Sequence, residues 1–202
     1  YKNINCHIIF DVKLGENFRR KARFVAGGHV TEKDPELSYS SVVSRDSVRI
    51  CLMLAALNDL DVQSADIQNA YLTADCKEKC YTKAGPEFGA EEEGKIFIIK
   101  KALYGLRSAG ASFWKKLRDH LLDMGFKPTE ADHDVWIKAD TKDTGEQYYI
   151  MILCYVDDIV SMGARGYDGH GNATAISRAT QVIQDIQKVF KLKNDKIEPP
   201  SD

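Results

Sequence analysis

The spacing of apolar residues changes period several times along the chain, and each change marks an element. Asn5–Val12 (NCHIIFDV) alternates loosely and is rich in β-formers. Lys13–Asn17 carries a glycine among polar residues, and Phe18–Ala26 (FRRKARFVA) resumes the extended pattern, which predicts a hairpin with a basic second strand. Gly27-Gly28 breaks the pattern, and Thr31–Ser41 is a polar loop containing Pro35. Ser44–Asn58 then takes helical spacing, with Val48, Cys51, Leu52 and Ala55 on one face and Ser44 or Asp46 as N-cap. Val62–Ile67 reads as a short strand with Asp66 near its end, followed by a turn at Asn69-Ala70. Short strands are expected at Cys80–Thr82 and Lys95–Ile99, on either side of the Pro-bearing, acidic loop Gly85–Gly94. Leu103–Gly110 turns into a helix over Ala111–Met124, closed by Gly125 with Pro128 beyond it. Val135–Ala139 and Tyr148–Tyr155 read as strands around a polar turn. A Gly-rich loop, Gly163–Asn172, precedes an amphipathic helix over Ala173–Phe190, with Ile176, Ile183, Ile186 and Phe190 on one side. The end is polar and Pro-bearing.

The stretch Ile150–Met162 (IMILCYVDDIVSM) organises the rest. Two apolar runs flank Asp157-Asp158, which describes a β-hairpin with the two aspartates at or beside its turn. Adjacent carboxylates repel, and holding both ionised beside an apolar sheet needs a cation, a proton or water between them. One reading is a solvated turn, since Asp is a common turn residue. The other is half of a Mg²⁺ site, which needs a third carboxylate from a distant strand. Asp66 meets that requirement, although a strand-end cap also explains it. Lys21 and Arg23 share a face of the basic strand. They suit either a solvated edge or the binding of a triphosphate or nucleic-acid backbone.

Composition narrows the class only a little. The 202 residues are 44% hydrophobic and 29% charged, an ordinary globular balance for one large domain or two lobes. The net charge of −2 carries no overall basic field for a nucleic-acid partner, though a local patch is compatible with it. No apolar run is long enough to span a membrane. Five cysteines at irregular spacing point to a reducing compartment, and no second pair or His cluster completes a zinc site around Cys76 and Cys80. A first residue other than Met suggests a processed or excised piece.

Taken in order, the blocks KARFVAGG (Lys21–Gly28), VRICLMLAAL, SADIQNAYL (Ser64–Leu72), KALYGLRSAGASFW (Lys101–Trp114), GFKPTEADHDVW (Gly125–Trp136) and CYVDD (Cys154–Asp158) span nearly the whole chain. In this the chain resembles the reverse transcriptase of copia-type long-terminal-repeat retrotransposons. The resemblance implies an α+β, right-hand polymerase fold with fingers and palm. The palm would be an antiparallel sheet with helices packed on one face, and the thumb would be absent. Fingers would take about 1–60 and 75–110, and palm about 61–74 and 111–202, of a single domain fragment. Asp66, Asp157 and Asp158 match the catalytic aspartates. With the Ile67 carbonyl, they would hold two Mg²⁺ ions (Mn²⁺ in their place), which activate a primer 3′-hydroxyl and stabilise the leaving pyrophosphate. Lys21 and Arg23 match the residues that hold the incoming deoxynucleoside triphosphate. Tyr71 matches the aromatic gate against a 2′-hydroxyl, although a core tyrosine is the plain alternative. Tyr104 and Gly105 match the segment near the incoming base. The implied partners are an RNA or DNA template with its primer, dNTPs, and the integrase and ribonuclease H of a Pol polyprotein. A membrane is not among them, and the implied location is a cytoplasmic virus-like particle or the nucleus.

The chain departs from the family pattern at two places. Many members read KARLVARG where this chain has KARFVAGG, so a basic residue is missing at Gly27, and many read KQAP where this chain has Arg107-Ser108-Ala109-Gly110. Two alternatives stand beside an active polymerase. One is a truncated, catalytically weak or inactive nucleic-acid-binding remnant. The other is an unrelated Mg²⁺ phosphotransferase.

Overall fold

The computed structural model describes residues 1–14, 18–28, 40–166 and 176–200. Among them the chain forms β1 (Lys2–Asn3), β2 (Cys6–Lys13), β3 (Arg19–Ala26), α1 (Arg45–Leu57), β4 (Leu60–Asp66), β5 (Cys80–Lys83), β6 (Ile96–Ile98), α2 (Ala109–Asp123), β7 (Lys127–Pro128), β8 (Val135–Thr141), β9 (Gln147–Tyr155), β10 (Asp158–Ala164) and α3 (Arg178–Gln187). The result is a mixed α+β protein. Two compact units divide it: Tyr1–Ser40 with Tyr71–Lys116, and Ser41–Ala70 with Leu117–Asp202. Residues 41–60 therefore cluster with the aspartate-bearing unit, where the sequence reading grouped them with the fingers. The reason is local: α1 enters β4 within three residues and packs on it.

The first unit contains the β2–β3 hairpin and a three-stranded sheet of order β1-β5-β6, in which β1 runs parallel to β5. In the hairpin, Asp11 faces Lys21, Ile9 faces Arg23 and Lys13 faces Arg19. Directly opposed residues project from the same face, so that face is basic. Phe24 projects from the other face and meets Phe88 edge-on, with ring centroids 5.3 Å apart; Phe88 meets Phe97 in the same way at 5.2 Å.

The second unit is built on a five-stranded antiparallel sheet of order β4-β10-β9-β8-β7. β9 is the middle strand, and Ile150 through Cys154 are all buried, which explains why its sequence is a continuous apolar run rather than an alternating one. α3 packs on β10 and β4 through Ala179, Val182, Ile183 and Ile186. A Cβ at Gly163 would lie 2.9 Å from the Ala179 nitrogen, so a glycine lets the helix start rest on the strand. α1 begins where Ser44 accepts a hydrogen bond from the Ser47 amide. Asp132 tightens that cap by accepting from the Ser44 amide (2.9 Å) and the Ser47 hydroxyl (2.7 Å).

Several element boundaries differ from the reading of the sequence. α3 starts at Arg178, not Ala173, because the Ser177 hydroxyl accepts from the Thr180 amide and caps it there. Ile176, expected on its apolar face, is exposed. α2 starts at Ala109, β4 starts at Leu60, and the chain after β4 makes a single 3-10 turn over Ala70–Thr73. The polar loop Thr31–Ser41 and the Gly-rich loop Gly163–Asn172 fall largely outside the described residues.

Candidate metal and nucleotide site

Asp66, Asp157 and Asp158 all lie at one end of the β4–β10 pair. Asp66 is the last residue of β4 and Asp158 the first of β10, and the register sets them directly opposite each other. Opposed residues in an antiparallel pair have Cβ atoms about 4.5–5.5 Å apart and share a face. The neighbouring pair, Ala65 opposite Ile159, points the other way and is buried. Alternation along the strands therefore turns the two aspartates away from the Ala65–Ile159 side.

Asp157 reaches the same end through the turn. Tyr155 pairs with Asp158, so the two-residue loop is Val156-Asp157, and Asp158 already belongs to the returning strand. Val156 has φ of 54°. A positive φ at the first loop position alone is the pattern of a type II′ turn, where glycine is usual. A β-branched residue held there is a strained exception, and such strain gathers at functional positions. The Ile67 amide donates to the Asp157 carbonyl (2.8 Å), which ties the end of β4 to the turn.

The electrostatics follow from this crowding. The Asp158 carboxyl is held above the ordinary carboxylate range, first by partial burial, then by the charges of Asp157 and Asp66, against a smaller pull from Lys193. Lys193 places its ammonium 3.0 Å from Asp66 Oδ2. The donor set is all oxygen, which suits a hard divalent cation such as Mg²⁺ or Mn²⁺. Among the described residues no three His, Cys, Asp or Glu side chains close into a ready-made cage. An open set is what Mg²⁺ tolerates, since it retains waters and substrate phosphates. The chemistry of the donor set suits such an ion, and the Lys193 ammonium already lies against Asp66.

The residues matched to nucleotide binding lie in the first unit. Lys21 and Arg23 stand on the basic face of the hairpin, where Arg23 also contacts Asp11 at 3.6 Å. The Tyr71 ring is half-buried, 4.9 Å from Tyr104 and 6.2 Å from Phe113. The Tyr104 carbonyl accepts from the Ala26 amide (2.7 Å). Gly105 has φ of 91°, and a Cβ there would fall 2.0 Å from the Ala26 carbonyl oxygen. Its glycine is required by this backbone approach, whatever else the segment does. Gly28 has the reciprocal constraint, its Cβ position lying 2.0 Å from the Gly105 oxygen. Thus the KARFVAGG block and the LYGLRSAG block meet backbone to backbone.

Two contacts beside the candidate residues went unread in the sequence. Lys193 sits between the helix expected to end at Phe190 and the polar, Pro-bearing end that begins at Asn194, a stretch given no reading. Its one signal was the alternation Lys191-Leu192-Lys193, too short to declare a strand. The second is Glu78, whose carboxylate accepts from the Ser108 amide (3.1 Å) and hydroxyl just before α2. Cys76 and Cys80 lie with sulfurs 3.9 Å apart beside it. Burial, then Cys80, pushes the Cys76 thiol up to about 12, so at neutral pH it is protonated and a poor metal ligand.

Comparisons with known proteins identify the family. The family described as reverse transcriptase (RNA-dependent DNA polymerase) matches residues 1–194. The chain is 32% identical over 168 residues to the retrovirus-related Pol polyprotein from transposon TNT 1-94 of Nicotiana tabacum, covering 79% of this chain and 12% of that one. It is 30% identical over 168 residues to the Pol polyproteins from transposons RE1 and RE2 of Arabidopsis thaliana, covering 79% of this chain and 11% of each. The chain thus spans about an eighth or less of the length of these relatives. Among the described residues no helix is long and apolar enough to cross a membrane.

Proposed function

The chain belongs to the reverse transcriptase (RNA-dependent DNA polymerase) family, in its copia-type retrotransposon branch, and from that premise we propose that it carries the fingers and palm of an RNA-directed DNA polymerase. The reading rests most on one observation. Asp66 and Asp158 face each other across two strands, with Asp157 in the turn that closes them. Nucleotide addition needs negative ligands at one point from segments far apart in sequence, on a rigid support.

In this reading Asp66, Asp157 and the Ile67 carbonyl hold two divalent ions, Mg²⁺ or Mn²⁺, and Asp158 supports them. Bound there, the ions supply activation of the primer 3′-hydroxyl and charge stabilisation of the departing pyrophosphate. The chain's own residues do the positioning. The strained turn at Val156 fixes the direction of Asp157. The pairing of β4 with β10 fixes Asp66 against Asp158. Lys21 and Arg23 hold the triphosphate oxygens by charge-assisted hydrogen bonds. Tyr71, braced by Tyr104 and Phe113, presents a ring face to the sugar and excludes a 2′-hydroxyl by size. Tyr104 and Gly105 line the side of the incoming base. The template and primer are nucleic acid, and the working context is a Pol polyprotein that also carries integrase and ribonuclease H.

A primed RNA template incubated with the protein, dNTPs and Mg²⁺ tests this. Addition of a single nucleotide that disappears in Asp157→Asn supports the polymerase. Template binding without addition supports the binding remnant instead, for which the basic hairpin face alone suffices. Neither binding nor addition leaves descent without function.

A further inference from the structure

The C-terminal segment forms part of the aspartate site. β4 is the outer strand of its sheet, and residues 191–198 run along its open edge. Ile67 bridges Leu192 and Ser64 bridges Glu198. The Gln68 amide donates to the Lys191 carbonyl (2.8 Å), and Ser64 and Glu198 exchange backbone hydrogen bonds at 2.7 and 3.2 Å. Leu192 is fully buried, which anchors the segment one residue before Lys193. Just past Lys193 the backbone kinks. Asn194 (φ 57°) and Asp195 (φ 50°) are consecutive non-glycine residues in the left-handed region. Such a conformation persists only where the surroundings enforce it, and Gln187 Nε2 donates to Asp195 Oδ1 (3.3 Å) here. The product of this anchored, kinked edge is an ammonium 3.0 Å from Asp66 Oδ2.

We propose that Lys193 is a built-in counter-cation that occupies Asp66 while the divalent ion is away and must be displaced for the ion to bind, so that this lysine sets the cation affinity of the site. The inference rests on the reading of Asp66 as a metal ligand. A monovalent ammonium and a divalent ion cannot share one carboxylate oxygen without strong repulsion. Without either, three carboxylates would crowd one strand end uncompensated. The lysine therefore stabilises the metal-free protein and weakens metal binding by at least that amount, since the two effects are legs of one thermodynamic cycle. Both side chains are about one-third exposed, 36% for Lys193 and 33% for Asp66, so water screens the pair and the effect is moderate.

Mn²⁺ titration followed by the electron paramagnetic resonance of free Mn²⁺ reads this directly, with no need for turnover. The wild type, Lys193→Met, Lys193→Gln, Asp66→Asn and Lys188→Met are compared. Lys193→Met and Lys193→Gln are expected to bind Mn²⁺ tighter by about three- to tenfold, the range for loss of a screened pair plus its residual repulsion. Lys188, paired with Asp185 on α3, serves as the control and leaves affinity unchanged. In chelator the Lys193 variants melt below the wild type, and saturating Mn²⁺ closes the gap. Equal or weaker Mn²⁺ binding by both Lys193 variants, in a wild type whose binding depends on Asp66, overturns the counter-cation role alone. Absence of Asp66-dependent binding in the wild type overturns the metal reading and this inference together.

Discussion

Asp158→Asn isolates the electrostatic cost of the site. The Asp158 carboxyl sits opposite Asp66 and beside Asp157, and its affinity for a proton is raised by partial burial and by both neighbours. A carboxyl raised in this way favours folding most when protonated. That contribution is complete below the unfolded value of about 3.9 and is lost as pH rises through the higher folded value. At neutral pH the ionised group is therefore a net cost, and asparagine, which copies the neutral form, removes it. Directly opposed like charges cost about 0.2–1 kcal/mol. The Asp158 side chain is only partly buried and stays open to water, so screening brings the expected gain to about 0.5 kcal/mol. For a chain of this size that corresponds to a rise in Tm of about 1–2 °C. The lost attraction to Lys193 is the weakest influence on the group and does not reverse the sign. The assay is thermal or urea unfolding in chelator at neutral pH and again near pH 4. The gain should be present at the first and shrink at the second. A variant less stable than wild type at neutral pH, or equally stabilised at both, refutes the reasoning.

Other expectations follow from particular contacts. Gly105→Ala places a Cβ into the Ala26 carbonyl at a left-handed φ and should cost about 2–3 kcal/mol or more. Gly89→Ala, with φ of 89° and ψ of 159°, a region essentially confined to glycine, but nothing within 4 Å, should cost about 1–3 kcal/mol and less than Gly105→Ala, and proteolysis of the two variants compares them. Tyr71→Ala, in a polymerase-competent form, should raise ribonucleotide incorporation by about tenfold or more while Tyr71→Phe keeps selectivity; equal sugar selectivity in all three removes the gate. Lys21→Ala with Arg23→Ala should raise the KM for dNTP if the pair holds the triphosphate. If it tracks the template instead, the salt slope of RNA binding should fall by about 2.

What was legible in the sequence and what was not divides along physical lines. Hairpins, helix caps and buried strands announced themselves through local period and turn chemistry. Ser44 as N-cap, Gly125 with φ of 85° after α2, and the apolar run of β9 are examples. The three aspartates could be named from their motifs, but their opposition depends on the register of β4 against β10, which no local pattern encodes. The true loop, Val156-Asp157, defied its own residue types because the strain is held by tertiary contacts. Lys193 escaped notice because its segment has little strand propensity of its own and is ordered by pairing to the β4 edge. The early helix start expected at Ala173 shows the reverse error, in which an apolar period ran on past a cap at Ser177.

Iron-directed cleavage bears most closely on whether one cation pocket joins these segments. Fe²⁺ replaces Mg²⁺ in oxygen-rich sites, and with ascorbate and peroxide it cuts nearby backbone. Two cut clusters are expected, one at Asp66–Ile67 and one at Tyr155–Asp158, both suppressed by excess Mg²⁺ and both lost in Asp66→Asn. Cleavage at only one of these places, or at neither, contradicts a single cation pocket.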